Sequence, residues 1–407
     1  MTKDLVVGLD IGTTKICAVV GESSEDGRVE IIGIGTHPSV GLRKGVVVNI
    51  ENTVASIKKA IEDAELMAGC EITQVYTGIA GGHIKSFNSQ GVIAIKGREI
   101  TSSEVDRVID AAKAIAIPMD REVIHMLPQE FLVDDQSGIQ DPVGMSGVRL
   151  EAKVHIVTGA VASAHNLIKC ANLAGLDVCD IVLESLASAE AVLSPEEMDL
   201  GTVLLDFGGG TVDVAIFIDE AIKHTAVVGL GGNNLTKDIA VGLRTSQADA
   251  ERIKRKYGSC LSSLIKKGET IEVPSIGGQK PRSLSRQILG EILEPRVEEI
   301  FELVNHELVG SNYLNRITSG MVITGGSSLL EGVPELAEQI FNMPVRRGYP
   351  VNVGGLVDII NSPMYATAVG LIMFGVEHRP EKKFRIRDQN TFNRVVSRMK
   401  KWFKDII

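Results

Sequence analysis

Two short stretches of this 407-residue chain carry residue types that can grip a phosphate. The first reads Leu9-Asp10-Ile11-Gly12-Thr13-Thr14-Lys15, and the second Leu205-Asp206-Phe207-Gly208-Gly209-Gly210-Thr211-Val212-Asp213. Each sets a carboxylate at the end of an apolar run and follows it with glycine, whose missing Cβ lets consecutive backbone N–H groups turn toward one anion. The hydroxyls of Thr13, Thr14 and Thr211 and the ammonium of Lys15 add donors and charge. One such stretch alone is also what a tight structural turn looks like. Its repetition, each time followed by an apolar strand, points to two loops closing on one polyanion. Asp10 and Asp206 would then face the same phosphates and repel them unless a divalent cation lay between, bound directly or through water. Mg2+ is the expected metal, although either aspartate taken singly could cap a turn.

The loops need a frame, and the flanking pattern supplies an α/β one. Strands are expected at Leu5 to Leu9, Lys15 to Val20 and Val29 to Gly35. A helix follows with Val54, Ile57, Ile61 and Ala64 on one face and Gly69 at its end, then a strand at Ile72 to Ile79. Gly81 and Gly82 break that pattern. Residues 84–161 read as an inserted module: a strand at Val92 to Lys96, the capping box Thr101-Ser102-Ser103-Glu104 before an alanine-rich helix, and strands around Phe131 and Val154 to Val157. Helix and strand then alternate up to Val203 to Leu205 and Val212 to Ile218, which repeat the strand, glycine turn, strand order of the N-terminus. In this second half Ser246 can cap a helix containing Glu251 and Lys254 that stops at Gly258, and two helices are expected to meet at Pro295. Met321 to Thr324 reads as a strand entering Gly325-Gly326, and Met364 to Phe374 as a buried helix.

Composition narrows the function classes. With 44% hydrophobic residues and 42 glycines the chain can bury a large core, in two or three domains by its length. Its five cysteines, Cys17, Cys70, Cys170, Cys179 and Cys260, form no CxxC pair, so a reducing compartment is expected rather than disulfides or zinc. Asp4 and Asp10 leave too short an apolar run for a secretory signal, and no run approaches the length of a membrane span. The net charge of −10 is unevenly placed: from Arg379 onward ten Lys or Arg stand against three acids, which leaves the first 378 residues at −17. An acidic body of that size excludes nucleic acid as the main partner.

The basic end has a design of its own. Phe392, Val395, Val396, Met399, Trp402, Phe403, Ile406 and Ile407 follow the spacing of one helix face, with Arg394, Arg398, Lys400, Lys401 and Lys404 on the rest. Such a helix fits an anionic membrane interface, aromatic side down, with roughly 4 kcal/mol from charge at about 1 kcal/mol per basic residue. It would equally fit a partner or the protein's own body. Pro380 to Asn390 has linker composition, and binding by one short helix should be reversible.

The loops resemble the two phosphate motifs of the actin, Hsp70 and sugar-kinase superfamily. Leu183-Glu184-Ser185-Leu186-Ala187-Ser188-Ala189 resembles its first connecting helix, Ile323-Thr324-Gly325-Gly326-Ser327-Ser328 its adenosine motif, and Tyr365-Ala366-Thr367-Ala368-Val369-Gly370 its second connecting helix. The resemblance implies a two-lobed actin-like ATPase fold binding ATP and Mg2+. It places Gly325, Gly326 and Ser327 at the adenosine and Glu251 with Lys254 near the ribose, and it makes Glu184 the candidate to orient an attacking water. The residues alone leave Glu251 and Lys254 readable as a solvated ion pair and Glu184 as a polar helix start.

The insertion, with Pro128-Gln129-Glu130-Phe131 and Pro142-Val143-Gly144-Met145-Ser146-Gly147-Val148-Arg149, and the basic tail together resemble the FtsA family of bacterial cell-division actin homologues. That resemblance implies a first lobe of residues 1–83 and 162–196, an inserted module of 84–161, and a second lobe of 197–227 and 309–378 carrying its own insertion at 228–308. A linker at 379–391 would lead to a membrane-targeting helix at 392–407. It further implies an ATP-dependent polymer, with at most slow hydrolysis, on the cytoplasmic face of the inner membrane at the division site. There it would tether the tubulin-like protein FtsZ, whose C-terminal tail would dock near Arg296 and Glu299, and recruit later division proteins. Arg296 and Glu299 also read as an ordinary exposed helix face. The alternatives are an ATPase or phosphotransferase of the same superfamily, or a pilus-assembly relative.

Overall fold

The structure is a computed structural model that describes residues 4–24, 28–97, 99–275 and 280–378. Two sheets of related design form its centre. In the first, the antiparallel strands Asp4–Ile11, Lys15–Ser23 and Val29–Pro38 are extended on one side by the parallel strands Gln74–Ile79 and Asp177–Leu183, and on the other by Val353–Gly355. In the second, Ala221–Val228, Val212–Ile218 and Thr202–Phe207 run antiparallel, and Met321–Thr324 and Val345–Arg347 add in parallel. The expected two-lobed α/β architecture is therefore present, each lobe opening on the same hairpin.

Helices cover these sheets because their strands are apolar on both faces. Every residue of Thr202–Phe207 and Val212–Ile218 is buried. Helix Ile50–Ala68 lays Ile57, Ala60, Ile61 and Ala64 against Leu9, Ile16, Ala18 and Val20. Truncating the fully buried Ile57 to alanine would cost about 2–5 kcal/mol. The helix ends as its pattern predicts, with Gly69 donating to the carbonyl of Glu65. On the other sheet Phe207 packs edge-on to Phe301, ring centroids 5.9 Å apart, under helix Gln287–Gly310. That helix corrects one expectation: it runs unbroken through Pro295 where two helices should have met. Pro295 is exposed, so water can satisfy the carbonyl its missing N–H leaves free, while Leu289, Leu293, Val297, Ile300 and Phe301 bury the opposite face.

The inserted module is a four-stranded sheet, ordered Lys85–Ala94, Arg149–Ala160, Arg121–Val133, Gln136–Ile139, with helix Ser102–Ala112 on one face. Glu104 accepts from the amide of Thr101 at 3.0 Å, as the capping box requires. The module also rests on the second lobe. Ser86 Oγ donates to the carbonyl of Thr225 at 2.9 Å, Asn88 Nδ2 to that of Lys223 at 3.1 Å, and Gln129 Nε2 to that of Ile222 at 2.8 Å. These side chains satisfy the outer carbonyls of Ala221–Val228, an edge strand that would otherwise be open to pairing. His155 lies 1% exposed in the same seam, and burial, with His224 adding to it, pushes its pKa down to about 3. No helix among the described residues is long and apolar enough to cross a membrane.

Candidate functional site

The two hairpins place their turns opposite one another. In the first, Asp10 pairs across with Cys17, and the amide of Gly12 donates to the carbonyl of Lys15 at 3.0 Å. In the second, Asp206 pairs with Asp213, and the amide of Gly208 donates to the carbonyl of Thr211 at 3.0 Å. The tips nearly touch. A Cβ on Gly209 would come within 2.7 Å of Thr14 Oγ1, and one on Gly210 within 2.5 Å of Thr13 Oγ1, so only glycine permits this approach. The carbonyls of Gly208 and Gly209 are held away from the gap by the amides of Gly232, at 3.0 Å, and Asn233, at 2.7 Å. Ser327 Oγ also donates to Gly208, at 2.9 Å. Among the described residues the amides of Thr13, Thr14, Gly209 and Gly210 form no backbone hydrogen bond. They remain available to an anion.

Between the tips and the adenosine-type turn lies a cavity of about 940 Å3. Asp10, Asp206, Asp213 and Glu184 converge on it. Burial raises all four pKa values. Asp10 reaches about 6, with Lys15 opposing and Asp206 reinforcing, and Asp213 about 7, with Asp206 reinforcing and the 2.9 Å hydrogen bond from Thr211 opposing. Glu184 is pushed well above the usual carboxylate range by burial and then by Asp10, Asp213 and Asp206. Asp206 is raised less freely, because Ser188 and Thr367 donate to it. Lys15 is the cation nearest Asp10, 3.9 Å from Oδ2; its ammonium also donates to the carbonyl of Met364 and sits 4.7 Å from the Tyr365 ring centroid. Glu184, which has no acidic neighbour in sequence, thus has three in space.

A divalent cation fits this set of hard oxygen donors, and one oxygen of Asp213 is buried with no hydrogen-bond partner. Among the described residues no group of three or more His, Cys, Asp or Glu makes a ready metal cage. Mg2+ does not need one, since it keeps several waters and is usually held by one or two carboxylates together with substrate phosphates.

At the far end Gly325, Gly326 and Ser327 line the same cavity. Gly325 has φ +83°, and a Cβ there would meet Asp206 Oδ1 at 2.4 Å, so a side chain is excluded twice over. Glu251 and Lys254 form an ion pair at 2.7 Å that faces the cavity. Lys254 Nζ donates as well to the carbonyl of Gly232, at 2.9 Å, and to Thr236 Oγ1, at 2.8 Å. Its three N–H bonds are thereby used, which leaves Glu251, 41% exposed at its side chain, as the member able to meet a ribose hydroxyl.

Comparison with known proteins follows the same lines. A family model described as cell division protein FtsA matches residues 203–370, and one described as an SHS2 domain inserted in FtsA matches 81–158. The cell division protein FtsA of Pseudomonas aeruginosa is 51% identical over 404 residues, covering 98% of this chain and 97% of that protein. The chain belongs to the FtsA family. The Escherichia coli K12 member is 41% identical over 409 residues, covering 99% of this chain and 96% of that protein. Among solved structures, the PilM-PilN type IV pilus biogenesis complex aligns with TM-score 0.65 at 17% identity, over 91% of this chain and 98% of that one. MreB5 of Spiroplasma citri bound to ADP aligns at 0.54 and 16%, over 93% and 99%. These likenesses establish the actin-like ATPase fold, with the SHS2 domain inserted in it.

In this FtsA-family chain every residue expected at the phosphates, metal and adenosine lines one cavity: Asp10, Gly12, Thr13, Thr14, Lys15, Glu184, Asp206, Gly208, Gly209, Gly210, Thr211, Glu251, Lys254, Gly325, Gly326 and Ser327. Arg296 and Glu299 lie elsewhere, on helix Gln287–Gly310. They are ion-paired to each other, and Arg296 also grips Asp238, Nε to Oδ2 at 2.5 Å and Nη2 to Oδ1 at 3.3 Å. Phe392, Val395, Arg398, Met399, Lys401, Trp402, Phe403 and Ile406 fall outside the described residues. Asp213, Ser188 and Thr367 stand within the motifs legible in the sequence, but no role follows for any of them there. Hairpin register could have found Asp213, because it stands seven positions after Asp206 as Cys17 stands seven after Asp10.

Proposed function

We propose that this chain binds ATP with Mg2+ between the two hairpins and polymerises when it does so, linking FtsZ filaments to the cytoplasmic face of the inner membrane at the division site. The observation that carries the reading is the convergence of four amides without backbone partners, three buried carboxylates and the half-buried Glu184 on one cavity. Amides attract the phosphates, and the carboxylates call for the cation that accompanies them. Asp10 and Asp206 would hold that cation directly or through water, and Mg2+ would neutralise charge between the phosphates and these acids. Glu184 is the residue to orient a water. Turnover is expected to be slow at most, with the site serving as a switch for assembly rather than as an enzyme whose product is the output.

Residues 392–407 would lie in the membrane interface, and a filament would multiply their individually weak binding without new contacts. The FtsZ tail would meet the face of Gln287–Gly310 that carries Arg296 and Glu299, and the inserted module would receive later division proteins. Electron microscopy on anionic lipid monolayers tests the whole. Lipid-bound filaments with ATP, absent with ADP or without nucleotide, and lost on deletion of residues 392–407, are expected. Nucleotide-indifferent monomers, or lipid binding unchanged by the deletion, would overturn it.

A further inference from the structure

Asp206 is gripped by hydroxyls from two helices that lie far apart in sequence. Ser188, in Glu184–Val192, donates to Oδ2 at 2.7 Å, and Thr367, in Ala366–Glu377, donates to the same oxygen at 3.1 Å. The two hydroxyls are 3.0 Å apart. Ser188 is 0% and Thr367 8% exposed, so neither bond competes with bulk water. The helices meet in close backbone contact one turn away, where a Cβ on Gly370 would fall 1.6 Å from the carbonyl oxygen of Ala187. Asp10, the matching carboxylate of the first hairpin, has a different recorded partner, the ammonium of Lys15 at 3.9 Å.

We propose that Ser188 and Thr367 are positioning residues for Asp206, fixing Oδ2 at the crossing of two helices and leaving Oδ1, beside Gly325, for a cation or its waters. The inference rests on the reading of the cavity as a Mg2+–nucleotide site and deepens it. An aspartate bound at one oxygen by two converging donors has a fixed carboxylate plane, so its orientation need not be selected when the ion arrives. This matters most for Mg2+, which demands near-octahedral geometry, and less for Ca2+, whose coordination is flexible. It also ties the oxygen that meets the metal to the helix crossing, so a shift of either helix would move Asp206.

The test is titration of the full chain with a fluorescent ATP analogue in Mg2+, in Ca2+ and in EDTA. Ser188→Ala and the isosteric Thr367→Val should each weaken Mg2+-supported binding about tenfold, the usual effect of removing a partner behind a ligating carboxylate. Ca2+-supported binding should change about threefold or less, binding in EDTA should not change, and Thr367→Ser should restore the wild-type profile. Equal losses under all three conditions, no loss, or a Thr367→Ser variant as weak as Thr367→Val would overturn the proposal. Should Ser188→Ala not fold by thermal melting, the Thr367 pair decides alone. Asp206→Asn separates the two levels: if wild type and Asp206→Asn bind nucleotide equally well with Mg2+ and with EDTA, the Mg2+–nucleotide reading fails, whatever Ser188 and Thr367 do.

Discussion

The hairpins around Gly12 and Gly208 share one backbone and divide its chemistry. Position for position, Asp10 matches Asp206, Gly12 matches Gly208, Lys15 matches Thr211 and Cys17 matches Asp213, with the same turn hydrogen bond and the same strand register. Where the first has Thr13 and Thr14, the second has Gly209 and Gly210, and the two threonine side chains occupy the space that the opposing glycines vacate. The first hairpin brings a cation and a neutral thiol, which burial pushes up to about 11. The second brings a further carboxylate and bare backbone. Two copies of either kind would clash or repel, so complementarity between the repeats closes the site as much as the repeat itself does.

Interchanging the differing residues should break this division. The largest effect is expected from Cys17→Asp, which gives the first hairpin the second one's carboxylate at a fully buried position. It should destabilise the fold by about 3 kcal/mol or more in denaturant titrations, the scale of an uncompensated buried charge. A loss under about 1 kcal/mol would mean that both hairpins tolerate the charge alike. Lys15→Thr comes next: removing the ammonium from four carboxylates should weaken ATP binding about a hundredfold, as loss of a charge-assisted hydrogen bond does, measured by titration with the nucleotide.

Asp213→Asn is the mildest change and sharpens the comparison most. The folded pKa of Asp213, about 7 against an ordinary 3.8, means that the folded state holds its proton more tightly than the unfolded chain. Its contribution to stability is therefore full below about pH 4 and is lost as pH rises through about 7. Without nucleotide, the asparagine variant should melt roughly 1–3 °C above wild type at pH 8, with the gap narrowing through pH 6 and closing below about pH 4. In exchange, cation-supported nucleotide binding should fall about tenfold. A gap as wide at pH 4 as at pH 8 would show that the gain does not come from the buried charge.

The phosphate loops were legible because their requirements are local: glycine for close approach and a carboxylate at a strand end leave a fixed spacing in the chain. Caps were legible for the same reason. Ser246 accepts from the amide of Asp249 at 3.1 Å, and the helix from Gln247 stops at Gly258 as expected. Pro295 misled because its cost depends on what surrounds it, and a helix anchored by eight buried residues outweighs one missing hydrogen bond. The seam between module and second lobe was invisible. Asn88, Gln129 and His155 are polar residues within strands, a pattern that reads as a solvent face, and their partners in Ala221–Val228 lie 70 residues or more away in the chain.

The sequence by itself determined that two glycine loops of one kind frame the chain, that a separate module is inserted between them, and that a −17 body ends in a basic stretch. Each follows from residue type and short-range spacing. Only the tertiary structure decided that Asp213 joins Asp10, Asp206 and Glu184, that Lys254 is spent on Gly232 and Thr236, and that hydroxyls from two distant helices share one oxygen of Asp206. Those facts depend on burial and on side chains meeting across long stretches of chain. A carboxylate reads the same in sequence whether it faces water or three other acids, and its chemistry differs because only the fold sets that distance.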